Sequence, residues 1–157
     1  MALGRIGVIY YWDAQAKPPQ WSQFAPKLRV GDKLAIQVGV INLSGQTMSF
    51  YPAYAHRSPD GAEFQHGHGD LKELSDRMLY LWYLPPLESA KLVGQTGEYK
   101  TQVAVWAMQE QVWVKADDRT FTIATVAGEG AALAGGTRNW VWLALGVGLV
   151  LILARRK

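Results

Sequence analysis

VGDKLAIQVGVINL, residues 30–43, decides the fold. Leu34, Ile36, Val38 and Val40 share one face of an extended chain, while Ala35, Gln37 and Gly39 share the other, a period of two that predicts a β-strand. Val30-Gly31-Asp32 reads as the turn that launches it, and Asn42 with Ser44-Gly45 as its end. Upstream, RIGVIYYW (Arg5–Trp12) predicts a first strand, followed by the loop AQAKPPQWSQFAP. Downstream, TMSFYPAYAHR (Thr47–Arg57) predicts another strand, closed by the turn Ser58-Pro59-Asp60-Gly61. LYLWYL (Leu79–Leu84) runs into Pro85-Pro86; Tyr99–Met108, Gln111–Lys115 and, after a turn at Asp117-Asp118, Thr120–Val126 complete the set. About seven short strands with turns near every ten residues predict an all-β sandwich. One helix is expected, Asp70–Met78, because Asp70 and Glu73 stand at capping-box spacing.

The chain has 157 residues, 49% of them hydrophobic and 18% charged, which excludes a disordered or collagen-like chain. It has no cysteine, which excludes disulfides, thiolate metal sites and cysteine nucleophiles. Its net charge of +3 arises at the C-terminus: residues 1–138 hold 13 Lys+Arg against 13 Asp+Glu, and Arg155, Arg156 and Lys157 supply the excess. A nucleic-acid binder carries its basic residues on the folded body, so no nucleic-acid partner is expected.

QTGEYKTQV (residues 95–103) resembles the penultimate strand of immunoglobulin-like domains, where a tyrosine hydroxyl ties the corner back to the backbone; Gly97 and Tyr99 match that spacing, and Thr101 stands where antibody domains carry cysteine. VGDKLAIQVGVIN and the later SPDG are similar to segments of immunoglobulin-like modules in bacterial, archaeal and phage surface proteins. No tryptophan lies on Thr47–Arg57, a departure from the antibody core. The resemblance covers roughly residues 28–127 and implies an immunoglobulin-like β-sandwich, a fold that hosts many functions.

WVWLALGVGLVLILA (Trp140–Ala154) contains no charge. Trp140 and Trp142 open it, Leu143, Leu145, Leu149, Leu151 and Leu153 fill it, and Arg155-Arg156-Lys157 close it. Tryptophans at one interface and a basic stop at the other predict a transmembrane helix with its basic end inside. Its length of about 22 Å is short of the ~30 Å hydrocarbon core, a gap that snorkelling by Arg138 and Arg155, or local thinning of the bilayer, covers. The expected organisation is therefore a sandwich over 1–127, a small-residue linker over 128–137 and an anchor over 138–157. MALGRIGVIYYWDAQ does not read as a signal peptide, because its apolar run is short and lacks a small-residue cleavage site.

His66 and His68 point to one side of an extended chain, and with Asp70 they form a candidate metal-ligand set; the plainer reading is a glycine-rich surface loop with solvated histidines. No activated serine, P-loop or dinucleotide fingerprint is present, so the expectation is a non-enzyme without a cofactor. Aromatic residues carry more weight. In LYLWYL, Tyr80 and Trp82 share one face and Leu79, Leu81 and Tyr83 the other, so both faces are apolar; Trp106 and Met108 likewise oppose Val103, Val105 and Ala107. One face fills the core. The second needs a lid, from the loop around Trp21 and Phe24 or from the short helix, or else a partner docked on Tyr80, Trp82, Tyr83 and Trp106.

Together these features predict a membrane-anchored structural or assembly protein whose partners are a lipid bilayer, other proteins of the same assembly and further copies of itself. The first expectation is a minor capsid or membrane-associated component of a membrane-containing virion, held on its internal membrane. The alternative is a binding protein of a prokaryotic cell envelope, and the third class is a membrane-anchored metalloenzyme.

Overall fold

A computed structural model describes residues 2–128, and the expected anchor and most of the expected linker lie outside these residues. Ten strands form: β1 (Gly4–Asp13), β2 (Gln20–Ser22), β3 (Lys27–Arg29), β4 (Ile36–Asn42), β5 (Met48–Arg57), β6 (Glu63–His68), β7 (Lys72–Leu74), β8 (Leu79–Leu84), β9 (Gly97–Gln109) and β10 (Val112–Ala127). They make a four-stranded sheet, β2-β1-β4-β8, and a six-stranded sheet, β3-β10-β9-β5-β6, with β7 also paired to β5. The described residues are all-β, in two sheets packed on one core; the short β2, β3 and β7 and the strand β6, expected as a loop, add to the seven expected, while Gln111–Lys115 and Thr120–Val126 run together as β10.

Alternation builds the core as expected. Ile36, Val38 and Val40 of β4 turn inward with Ile6 of β1 and Leu84 of β8, and meet Phe50 of β5 and Val103, Val105 and Ala107 of β9. Each of these side chains is buried, and burial of this kind supplies most of the favourable folding free energy. The Val30-Gly31-Asp32 turn is present: Asp32 N–H donates to the Arg29 carbonyl, and Gly31 takes the positive φ of 94° that this turn position demands.

Two expectations are corrected. Residues 70–78 contain no helix; Lys72–Leu74 instead pairs antiparallel with Met48–Phe50, Leu74 is buried, and Asn42 Nδ2 donates to the Leu74 carbonyl. Nine residues with one buried leucine offer too short an apolar stripe to offset helix nucleation, whereas an open edge of β5 supplies ready hydrogen-bond partners. Asp117-Asp118 makes no turn either. It sits within β10 at a register shift between Lys115 and Asp117, and Asp117 Oδ2 accepts the Ile6 N–H of the other sheet at 2.8 Å. The true reversal is at Glu110-Gln111, both with positive φ, a two-residue hairpin loop without the glycine or asparagine that would have marked it.

At the start of β9, the Tyr99 ring is buried and its hydroxyl accepts the N–H groups of Gly94 (3.3 Å) and Gln95 (3.1 Å). Tyr99→Phe leaves both donors without that acceptor, and a loss of about 1–2 kcal/mol in urea unfolding is expected.

Candidate functional site

Three features compete for a functional reading: the histidines, the outer face of the six-stranded sheet and the outer face of the four-stranded sheet. His66 and His68 lie on β6 opposite Ala55 and Ala53, which puts both on the outer face of the larger sheet. His66 Nδ1 pairs with Glu63, whereas His68 Nδ1 lies 3.1 Å from the Gly69 carbonyl and its ring packs on Tyr51. Asp70 is engaged through its backbone carbonyl, which accepts Trp82 Nε1–H at 2.8 Å. Among the described residues no three His, Asp or Glu side chains gather to hold a metal. The expected set of His66, His68 and Asp70 is therefore not assembled.

His56, the third histidine, is fully buried on the inner side of β5. Its Nε2 lies 3.1 Å from the Leu84 carbonyl on the opposing sheet, and its Nδ1 lies 2.8 Å from Thr101 Oγ1 on β9. A carbonyl only accepts, so Nε2 carries the proton and Nδ1 accepts from the threonine hydroxyl. This neutral ring ties the two sheets together. Burial pushes its pKa down to about 4, against a smaller opposing effect of the Leu84 hydrogen bond. The unfolded chain then binds a proton near pH 6.5 that the folded chain refuses, so the contribution is complete above that pH and fades as pH falls toward 4. Unfolding midpoints should show about 3 kcal/mol of stability lost across this window, and His56→Leu should flatten that dependence. Thr101→Val should cost about 1–2 kcal/mol at neutral pH by removing the donor to Nδ1.

The four aromatics expected to meet a partner divide among three environments. Trp82 is a core residue, and its expected place at a partner surface is corrected: it points inward because β8 continues the inward alternation of β4. Tyr80, on the same face, is partly buried and packs on Trp82 with ring centroids 4.6 Å apart. Trp106 stays half-exposed on the outer face of the larger sheet, beside Ala53, Ala55 and Ala104. That face also carries the ion pair Lys115–Asp118 (2.7 Å) and is mixed in character.

Tyr83 stands on the outer face of the smaller sheet, where the register places Leu79 opposite Ile41, Leu81 opposite Gly39 and Tyr83 opposite Gln37. β1 adds Val8 opposite Gly39 and Tyr10 opposite Gln37. Val8, Leu79 and Leu81 close over Gly39 so tightly that an added Cβ would sit 2.5 Å from Val8 Cγ1. At one end Trp21 of β2 packs edge-on against both Trp12 (5.4 Å) and Tyr83 (5.6 Å), and Gln37 is buried. The expected lid is thus partly present. Trp21 provides it, whereas Phe24 is 81% exposed. Beyond Trp21 the face remains open, with Leu79 at 45%, Leu81 at 36% and Tyr83 at 50% exposure. Across the outward positions of β4 and β8 there is no charge; Arg5, opposite Ile41, marks the border. Contiguous apolar surface of this kind on a folded domain is characteristic of an interaction site.

The chain matches no known protein-family model and no curated protein.

Proposed function

We propose that this chain is a non-catalytic, membrane-anchored assembly protein whose sandwich docks other proteins through the outer face of β1, β4 and β8. The uncharged open patch of Leu79, Leu81 and Tyr83 carries this reading. Water contact with these side chains is unfavourable, and covering them with a partner recovers that free energy. The Trp140–Lys157 run supports the anchor through its tryptophan opening and basic stop.

The sandwich is, on this reading, immunoglobulin-like. Taking β1, β4, β5, β6, β8, β9 and β10 as strands A, B, C, C′, E, F and G, the sheet orders become A-B-E and G-F-C-C′. The Tyr99 hydroxyl at the corner before strand F supports the same assignment. Both settings expected from the sequence, a virion's internal membrane and a prokaryotic envelope, supply a bilayer and neighbouring proteins; fractionation of purified particles and envelopes separates them.

Two measurements test the proposal. Removing residues 138–157 should move the chain from the membrane fraction to the soluble fraction, and persistence in the membrane contradicts the anchor. Val8→Lys or Ile41→Lys should lower recovery of the full chain in its native assembly by about tenfold or more, as expected for charge placed in an apolar contact. Unchanged recovery contradicts docking through this face.

A further inference from the structure

Sheet edges are exposed hydrogen-bonding templates, and folded proteins usually blunt them with charge, proline, bulges or brevity. Four edge segments here are blunted; β7, for one, has three residues and carries Lys72 and Glu73. β2 has three residues and follows Pro18-Pro19, while β3 has three residues and carries Lys27 and Arg29. β6 begins with Glu63, breaks register opposite His56 and Arg57, and has the Lys91 ammonium on its Phe64 carbonyl (3.0 Å). β8 is the least blunted: Pro85-Pro86 follow it and the Lys72 ammonium lies over its Tyr80 ring, but nothing interrupts the strand itself. It closes the four-stranded sheet with six residues in unbroken register, and contains no charge and no proline. A hollow lined by His68, Gly69, Asp70, Lys72, Tyr80–Tyr83 and Pro86 borders it, with one carboxylate and one ammonium.

Building on the docking face above, we propose that β8 pairs antiparallel with β8 of a second copy, about a two-fold axis at Leu81. The sequence of β8 is self-complementary in this register. Leu79 meets Tyr83 and Leu81 meets Leu81 on the outer face, while Tyr80 meets Trp82 on the inner face, so apolar side chains oppose apolar ones throughout. An isologous pair brings the same patch from both copies, and a strand without charge brings no like-charge repulsion. The balanced rim of Asp70 and Lys72 adds no net charge to either copy. The product is one continuous eight-stranded sheet, twice the four of one copy, with Leu79, Leu81 and Tyr83 of both copies on the same side. Self-pairing thus doubles the width of the docking face and covers the open edge of β8.

Because the chain has no cysteine, a single introduced thiol reports on this contact alone. The full chain carrying Leu81→Cys, in membranes or detergent micelles, should form a covalent dimer on mild copper-phenanthroline oxidation. Val112→Cys, 62% exposed at the far hairpin, should stay monomeric. Leu79→Cys and Tyr83→Cys should each cross-link poorly alone and efficiently when mixed, which fixes register and direction. Overturning results are a Leu81→Cys yield no higher than that of Val112→Cys, or a Leu79/Tyr83 mixture no better than either alone. Absent cross-links with impaired recovery of Val8→Lys overturn the pairing and leave the docking face standing. Normal recovery of Val8→Lys with efficient cross-links overturns the docking face and leaves the pairing standing.

Discussion

The two sheets meet across a buried apolar core, and one neutral imidazole crosses it. His56 Nε2–H donates to the Leu84 carbonyl of the smaller sheet, and its Nδ1 accepts from the Thr101 hydroxyl on the larger one. A hydrogen bond in this low-dielectric setting is strong when satisfied and costly when broken, so it fixes the spacing and alignment of the sheets more sharply than apolar contacts do. A second crossing, Ile6 N–H to Asp117 Oδ2, holds β1 to β10. A chain without cysteine thus secures its sheets by directional polar contacts set within an apolar core.

That alignment decides what the smaller sheet presents outward. With Ile36, Val38, Val40, Trp82 and Leu84 committed to the core, the intervening positions of β4 and β8 must face away from it. They are Gln37, Gly39 and Ile41 on β4 and Leu79, Leu81 and Tyr83 on β8. Trp21 leans on Tyr83 at one end, and the remainder is open. A sheet apolar on both faces needs cover on both, and this geometry is the physical basis for reading the chain as a component of an assembly.

Period-two alternation made the main strands legible, because a half-buried strand writes its inner face directly into every second residue. Lys33–Leu43, Thr47–Arg57 and Leu79–Leu84 correspond closely to β4, β5 and β8. The backbone bonds of the Tyr99 hydroxyl were expected from the resemblance of residues 95–103 to a known corner, not from local chemistry. Failures cluster where local chemistry yields to tertiary context. Asp70 and Glu73 suggested a helix, but the edge of β5 drew Lys72–Leu74 into a sheet. Asp117-Asp118 suggested a turn, yet one carboxylate serves a backbone donor 111 residues away. His56 gave no signal as a cross-sheet tie, since its two partners come from strands 28 and 45 residues distant. The apolar doubling of β8 was visible, but alternation alone could not say which face was inner; Trp82 proved to belong to the core and Tyr83 to the surface.

Hydroxyl-radical footprinting of the full chain, purified and in its native membrane, tests the central claim most directly. Leu79, Leu81 and Tyr83 should be labelled in the purified chain and strongly protected in the membrane, with Phe24, at 81% exposure, labelled alike in both as an internal reference. Equal labelling of Tyr83 in the two states would contradict a docking role for this face.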